Sequence, residues 1–139
     1  MARRRLALLA LALAACGPAG APQPIAYDRE PCAHCRMLIS EPRFAAQLET
    51  QDGEIRSFDD PGCLLAELAT HPEGYRALWF HHVREDRWLD AAHVAFEAAE
   101  RTPMGYGLGA VDAGTKGALS LDQARARVAE RSAGPEARP

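Results

Sequence analysis

The chain has 139 residues, 47% of them hydrophobic and 25% charged, a composition typical of a globular domain and not of a fibre or a disordered chain. Its 16 basic and 19 acidic side chains give a net charge of −3 at pH 7. The basic surface that nucleic acids require is therefore not expected, and neither is a nucleic-acid partner.

The first fifteen residues predict the export signal of a lipoprotein. Arg3, Arg4 and Arg5 precede an apolar run over residues 6–15, which is too short to span a bilayer as a permanent anchor. The run ends in Leu-Ala-Ala directly before Cys16, and this ending resembles a bacterial lipobox. That resemblance implies cleavage before Cys16 and lipidation of its sulfur, so the protein would be extracytoplasmic and anchored to a membrane on its periplasmic side. The alternative is an ordinary secretory signal with an unrelated cysteine.

Residues 16–30 are predicted to be the lipidated cysteine and a flexible tether. The stretch GPAGAPQPIAYDRE contains three prolines and two glycines, which favour an extended and unpacked chain. At the other end of the chain, residues 132–139 are predicted to be a disordered tail. The folded body is therefore expected to span residues 31–131.

The first half of the body, about residues 31–89, predicts a ββαβ unit. Two β-compatible segments flank Asp52-Gly53, which is a strong hairpin signal. Asp60 followed by Pro61 is a typical helix start. The predicted order is strands over 44–50 and 54–58, a helix from 61 that ends at Pro72 and Gly74, a strand over 77–83, a turn over 84–87 and extended structure at 88–89.

The second half of the body, about residues 90–131, predicts a smaller ββα unit. Segment 93–98 fits either a helix or a strand, and segment 108–111 fits a strand. Ser120-Leu-Asp-Gln123 is a capping box that opens a helix with one apolar face. The expected fold class is therefore α+β, with two small ββα(β)-type units of antiparallel strands and one helix each.

The most informative chemical segment is Cys32-Ala-His-Cys-Arg-Met37, which places two thiols and a thioether within six residues. Soft sulfur ligands select Cu(I), zinc or iron–sulfur centres, and a neutral thioether favours Cu(I) among these. If residues 35–37 are extended, Cys35 and Met37 point to the same side and converge on one ion.

Met104 is the other methionine of the predicted mature chain, and it lies in a stiff Thr-Pro-Met-Gly turn. Both Met37 and Met104 are therefore expected in loops, outside the core where methionine usually fills gaps. Because Met104 belongs to the second unit, a site that includes it would lie at the seam between the two units and be open to solvent.

Several other side chains are weaker ligand candidates. Cys63 lies in the first turn of the predicted helix, where N–H groups stabilise a thiolate, although it is equally a small residue suited to burial. Cys32 either binds the metal or pairs with Cys35 in the metal-free protein. His34 lies between those two cysteines. His81 and His82 alternate across a strand, so at most one of them can face the site.

Three other interpretations of the cysteines remain open. In a thioredoxin-like thiol oxidoreductase the Cys-x-x-Cys lies at a helix N-terminus, and a proline shortly after this one disfavours a helix there. A zinc-stabilised interaction module needs four ligands. Cys32, Cys35 and Cys63 supply three, and His34 or His71 would be the fourth. A Cys32–Cys35 disulfide suits an oxidising compartment.

No catalytic constellation is found in the sequence. It contains no serine within a His/Asp frame and no nucleotide-binding fingerprint. Asp59 and Asp60 are interpreted as helix caps and not as an acid–base pair. The chain is therefore not expected to be an enzyme.

Taken in order, the motifs resemble those of the NosL family of copper-binding lipoproteins. They are the lipobox, Cys32-Ala-His-Cys-Arg-Met37, Phe58-Asp-Asp-Pro-Gly-Cys63 and Thr102-Pro-Met-Gly105, and they cover roughly residues 13–112. The resemblance implies a Cu(I) chaperone of two small ββα(β) units. By the family motif, Cys35 and Met37 would be Cu(I) ligands and Met104 a third.

The resemblance also implies a recipient for the metal. The family delivers copper to nitrous oxide reductase, for its copper–sulfide centre, in concert with an ABC-type membrane complex. The chain departs from the family pattern at its C-terminus, because residues 132–139 are unsuited to the last strand of a complete second unit.

Overall fold

The computed structural model describes residues 20–71 and 73–134, which form two antiparallel sheets and two α-helices. The predicted α+β fold class, with two small units of antiparallel strands and one helix each, is confirmed. The predicted signal peptide 1–15, the lipidated Cys16 and residues 135–139 lie outside the described ranges. Within those ranges, neither helix combines the length and the apolar character needed to cross a membrane.

The first sheet grows from the predicted hairpin. Strands β1 (Ala46–Glu49) and β2 (Ile55–Phe58) pair antiparallel, with Ala46 opposite Phe58. Gly53 has a φ of 89° in the connecting turn, a conformation that glycine adopts at little cost. On its other edge β1 pairs with β3 (Ala77–His81), which pairs in turn with β4 (Trp88–Asp90), so the strand order is β2-β1-β3-β4.

Helix α1 (Pro61–Thr70) begins where the sequence predicts. The Asp60 carboxylate accepts a hydrogen bond from the Gly62 amide at 2.8 Å, and Pro61 occupies the first helical position, where its missing N–H costs nothing. Most of the helix is buried from its first residue onward. The N-terminus of α1 is therefore fixed beside the end of β2.

The second unit contains strands β5 (Val94–Ala98), β6 (Leu108–Asp112) and β7 (Leu119–Ser120), followed by helix α2 (Leu121–Ser132). The segment that fitted both helix and strand is strand β5, the central strand of the order β6-β5-β7. The predicted capping box of α2 is present, between Ser120 and Gln123. The third strand of this sheet, β7, comes before α2 in the chain and not after it. Because Ser132 still belongs to α2, the predicted tail begins too early.

Both units contribute to one core. The rings of Phe80 in β3 and Phe96 in β5 pack edge to face with centroids 5.0 Å apart. Helix α1 packs against α2. Arg87, just before β4, forms two hydrogen bonds of 3.0 and 2.5 Å with the carboxylate of Asp112 at the end of β6. The two units are therefore joined by apolar packing and by a bidentate ion pair.

The described part of the segment predicted as a tether packs against the first sheet. The Gln23 amide donates to Gln47 Oε1 at 2.7 Å, and Gln47 Nε2 donates to the Gln23 carbonyl at 3.0 Å. The Asp28 amide donates to the Ile39 carbonyl at 2.9 Å. Ile25 and Tyr27 lie against the core. The packed body thus begins earlier than the predicted boundary at residue 31, because the side chains of Ile25 and Tyr27 pack against the core.

Candidate metal centre

Residues 32–37 form a closed loop, which we call the Cys32–Met37 turn. The Cys32 amide donates to the Met37 carbonyl at 2.8 Å, and the Arg36 amide donates to the Cys32 carbonyl at 3.1 Å. Arg36 has a φ of 68°, in the left-handed region. Residues 35–37 are therefore not extended, so the alternation argument that pairs Cys35 with Met37 does not apply. The turn instead brings Cys35 back toward Cys32.

The sulfur atoms of Cys32, Cys35 and Cys63 all lie within 4.8 Å of one another, and we call this group the thiol cluster. Two of its sulfurs come from the Cys32–Met37 turn and the third from the first turn of α1. Cys32 and Cys63 are fully buried, whereas Cys35 is partly exposed. The cluster is therefore covered on the core side and reachable from solvent at Cys35.

The cluster distributes protons unequally among its three sulfurs. A hydrogen bond from the Cys63 thiol, helped by the backbone amides of Asp59, Cys35 and His34, lowers the pKa of Cys32 to about 5. The same hydrogen bond, together with burial, raises the pKa of Cys63. Burial is also the main cause that raises the pKa of Cys35. At neutral pH the metal-free cluster is thus one thiolate held by two thiols.

This proton distribution gives a measurable titration. The thiolate absorbance of the reduced, metal-free protein should rise by one thiol equivalent near pH 5, far below the ordinary cysteine pKa of 9.0. Because the pKa of Cys32 is lower in the folded protein than in the unfolded chain, its ionisation stabilises the fold fully above about pH 9. That contribution is lost as the pH falls through 5. The step near pH 5 should disappear in Cys32→Ser, and thiolate absorbance appearing only in alkali would contradict the assignment.

Met37 and Met104 lie in loops outside the core, as predicted. Met37 is 59% exposed and Met104 is 36% exposed. The Met104 amide donates to Asp60 Oδ2 at 2.9 Å, which fixes the Met104 loop at the N-terminus of α1, three residues from Cys63. Asp60 therefore acts both as the helix cap and as the anchor of this loop. All three thiols belong to the first unit, and the second unit contributes the loop beside them. A ligand role for either methionine stays a prediction.

The histidines proposed as a fourth ligand do not belong to the thiol cluster. His34 Nδ1 lies 2.8 Å from Glu67 Oε2, and His71 Nδ1 lies 3.3 Å from Glu67 Oε1. His81 and His82 are buried, with hydrogen bonds to residues around the β3–β4 connection. In the described ranges, the residues whose ligand atoms lie close enough to Cys32 to share a metal ion with it are Cys35 and Cys63, and no histidine or acidic residue joins this group.

A second group close enough to hold a cation lies far along the chain from the thiol cluster. One ligand atom each from His82, Glu85 and Asp112 falls within 4.8 Å of the others. The Arg87 guanidinium, however, bonds Glu85 through Nε at 2.5 Å and Asp112 through both terminal nitrogens. The cation of this group is therefore the arginine side chain, and the group links the two units.

Sequence reasoning missed two residues beside the cluster. Glu67 is a nearly buried carboxylate one helical turn after Cys63, and its spacing along α1 was an available signal. Tyr106 packs so closely on Gly62 that a Cβ added to the glycine would lie 1.9 Å from the tyrosine Cγ. No local sequence pattern predicts the contact between Gly62 and Tyr106, because the two residues belong to different units.

Comparison of the chain with protein-family models, with curated proteins and with solved structures found no match. The resemblance to the NosL family therefore depends on the sequence motifs alone. Function has to be argued from the chemistry of the thiol cluster, since a small α+β fold is compatible with many activities.

Proposed function

We propose that the protein is an extracytoplasmic, lipid-anchored Cu(I) carrier whose metal centre is the thiol cluster. The observation that supports this most is the convergence of three cysteine sulfurs to within 4.8 Å at the N-terminus of α1. Thiolates are the soft ligands that select Cu(I), zinc and iron–sulfur centres in proteins. A cluster built from a turn and a helix end can close on one such ion without refolding.

The number of ligands favours Cu(I) over a structural zinc ion. Structural zinc sites are closed by four protein ligands, and the thiol cluster offers three, because neither His34 nor His71 has a ring nitrogen close enough to all three sulfurs to join it. Any further soft donor near the cluster would be a thioether, since the backbones of Met37 and Met104 lie beside it. Thioethers suit Cu(I) better than zinc.

The exposure of the cluster suits a carrier. Two sulfurs are fully buried and would hold the ion from the core side, whereas Cys35 is partly exposed to solvent. A partner's ligand can therefore reach the metal on one side while the protein still holds it on the other. A fully enclosed four-ligand cage would offer no such approach.

Thiol–disulfide exchange is the second candidate function, and the low pKa of Cys32 favours it. Exchange requires a thiolate that a partner's disulfide can reach. In this cluster the thiolate of Cys32 is fully buried, and the accessible thiol of Cys35 has a raised pKa. The two requirements fall on different sulfur atoms, so metal binding is the better account of the cluster.

The recipient that we propose is nitrous oxide reductase, with transfer in concert with an ABC-type membrane complex. Support comes from the resemblance of the ordered motifs to those of the NosL family. The Leu-Ala-Ala-Cys16 ending of the signal supports a lipid anchor that keeps the carrier at the periplasmic face of a membrane.

A competition titration tests the metal assignment. The reduced mature protein should take one equivalent of Cu(I) from a Cu(I)-selective chelator and bind Zn(II) at least about a hundredfold more weakly. The metal-free protein should stay folded, because Cys32 and Cys63 are packed in a core that apolar side chains of both units form around them. The matched control replaces Cys32, Cys35 and Cys63 together by serine. Failure to take up Cu(I), tighter binding of Zn(II), or unfolding on chelation would each overturn the proposal.

A further inference from the structure

A nearly buried carboxylate lies beside the thiol cluster. Glu67 is 8% exposed and follows Cys63 by one turn of α1, so the two side chains share a face of the helix. An unpaired buried carboxylate is costly. Glu67 is paired on both oxygens, with His34 at 2.8 Å and His71 at 3.3 Å, and Arg56 lies 3.8 Å away.

The contact between Glu67 and His34 joins α1 to the Cys32–Met37 turn. On the sheet side, the Ala33 amide holds the turn by donating to the Ser57 carbonyl at 2.9 Å. On the helix side, the His34 ring reaches Glu67, one turn beyond the cysteine that completes the cluster. Ala33 and His34, the two residues between the cysteines of the turn, thus attach it to β2 and to α1.

We infer that Glu67 is a positioning residue of the metal centre, acting through its hydrogen bond with His34. The inference rests on the proposed function, because it explains how the three sulfur atoms are held close together before the metal binds. Cys35 is the partly exposed sulfur, and burial restrains it less than it restrains Cys32 and Cys63. The neighbouring His34 holds this end of the turn against α1, so the Cys35 sulfur stays close to the sulfurs of Cys32 and Cys63.

The effect on binding follows from this geometry. Without the contact, the turn must be ordered at the moment of binding, and the ordering cost reduces affinity. Residues that orient metal ligands typically contribute 10- to 100-fold to metal affinity. We expect that loss in Glu67→Ala and in His34→Ala. His34 is partly exposed, so its replacement tests the same contact in a variant expected to fold.

Conservative and double variants separate positioning from charge and from general stability. Glu67→Gln keeps an oxygen that can accept from His34 Nδ1, so its Cu(I) affinity should stay within about threefold of the parent. The double variant His34→Ala/Glu67→Ala should be no weaker than either single variant, because both remove one contact. Glu49→Ala is the matched control. Glu49 is a buried carboxylate paired with Arg76 at 3.3 Å. It lies at the turn end of the β1–β2 hairpin, opposite Ile55, whereas α1 begins shortly after Phe58 at the other end. Its loss should lower stability and leave Cu(I) affinity unchanged.

The experiment measures Cu(I) competition and arsenite binding for the parent protein and these variants. Trivalent arsenic exchanges its three hydroxyl groups for three thiols and releases three waters, so it reports the arrangement of the sulfurs independently of copper. If Glu67→Ala and His34→Ala weaken both probes and Glu67→Gln does not, the positioning role is supported. If the parent binds arsenite but not Cu(I), and Glu67→Ala still weakens arsenite, the copper function fails and the positioning role stands. Equal binding of parent and Glu67→Ala, or additive losses in the double variant, would overturn the inference.

Discussion

Replacing Cys63 by alanine should lower Cu(I) affinity by about a thousandfold or more, which corresponds to about 4 kcal/mol. The variant loses one of three sulfurs and also the thiol that donates to Cys32, so the remaining thiolate loses the main cause of its low pKa. Cys32→Ser should be as defective, because Cys32 is fully buried and its lowered pKa makes it the thiolate of the cluster. The measurement is competition with a Cu(I) chelator under reducing conditions.

Leucine at Met37 or Met104 provides the comparison for this prediction. Both side chains are exposed, so each replacement should leave the fold intact and reduce affinity by no more than about tenfold. The ligand set inferred from the sequence predicts a different order, because it makes Cys35, Met37 and Met104 the ligands and leaves Cys63 a weaker candidate. A Cys63→Ala variant that binds normally, beside a Met104→Leu variant that does not, would restore that set and refute the thiol cluster as the centre.

Gly62→Ala should destabilise the fold by about 3 kcal/mol, the upper end of what overpacking costs. The added Cβ would lie 1.9 Å from Tyr106 Cγ and 2.3 Å from its Cβ. Relief cannot come from a flexible side-chain tip, because the contacted atoms are at the base of the tyrosine. The loop of the second unit must therefore move away from the N-terminus of α1. Urea denaturation, with the midpoint and slope both measured, reports the change.

Removing the tyrosine ring tests whether this contact is the cause. In a Tyr106→Gly background both the ring and the Cβ of residue 106 are absent, so Gly62→Ala should cost much less there than in the parent chain. Tyr106→Gly alone loses the packing of Arg131, whose guanidinium carbon lies 4.8 Å from the ring centroid, so it needs its own baseline. An equal cost of Gly62→Ala in both backgrounds would show that the close contact does not limit the fold.

The elements that the sequence predicts correctly are those with local causes. Asp52-Gly53 specifies the β1–β2 hairpin, Asp60 begins α1, and the Ser120–Gln123 capping box begins α2. Each depends on hydrogen bonds within a few residues. The packing of residues 20–30 and the place of β7 before α2 depend on surfaces formed by distant parts of the chain. A local pattern contains no information about those surfaces.

The candidate site shows the same division. The chemical class of the site follows from two thiols and a thioether within six residues, and that pattern is visible in the sequence. The third sulfur is determined by how α1 meets the Cys32–Met37 turn, so Cys63 was only a weak candidate. Residues 35–37 are not extended for one reason: Arg36 is left-handed, a conformation that arginine rarely adopts and that no sequence rule would assign to it.

The shared core limits how this chain can be divided. Phe80 and Phe96 face each other across the two sheets, and Arg87 of one unit grips Asp112 of the other. A cut between β4 and β5 would expose an aromatic ring on each half to water and would separate Asp112 from Arg87. The halves are therefore not interchangeable parts. A recombination that exchanged one half for that of another protein would have to carry matching residues at these positions, so the two halves are expected to be inherited together.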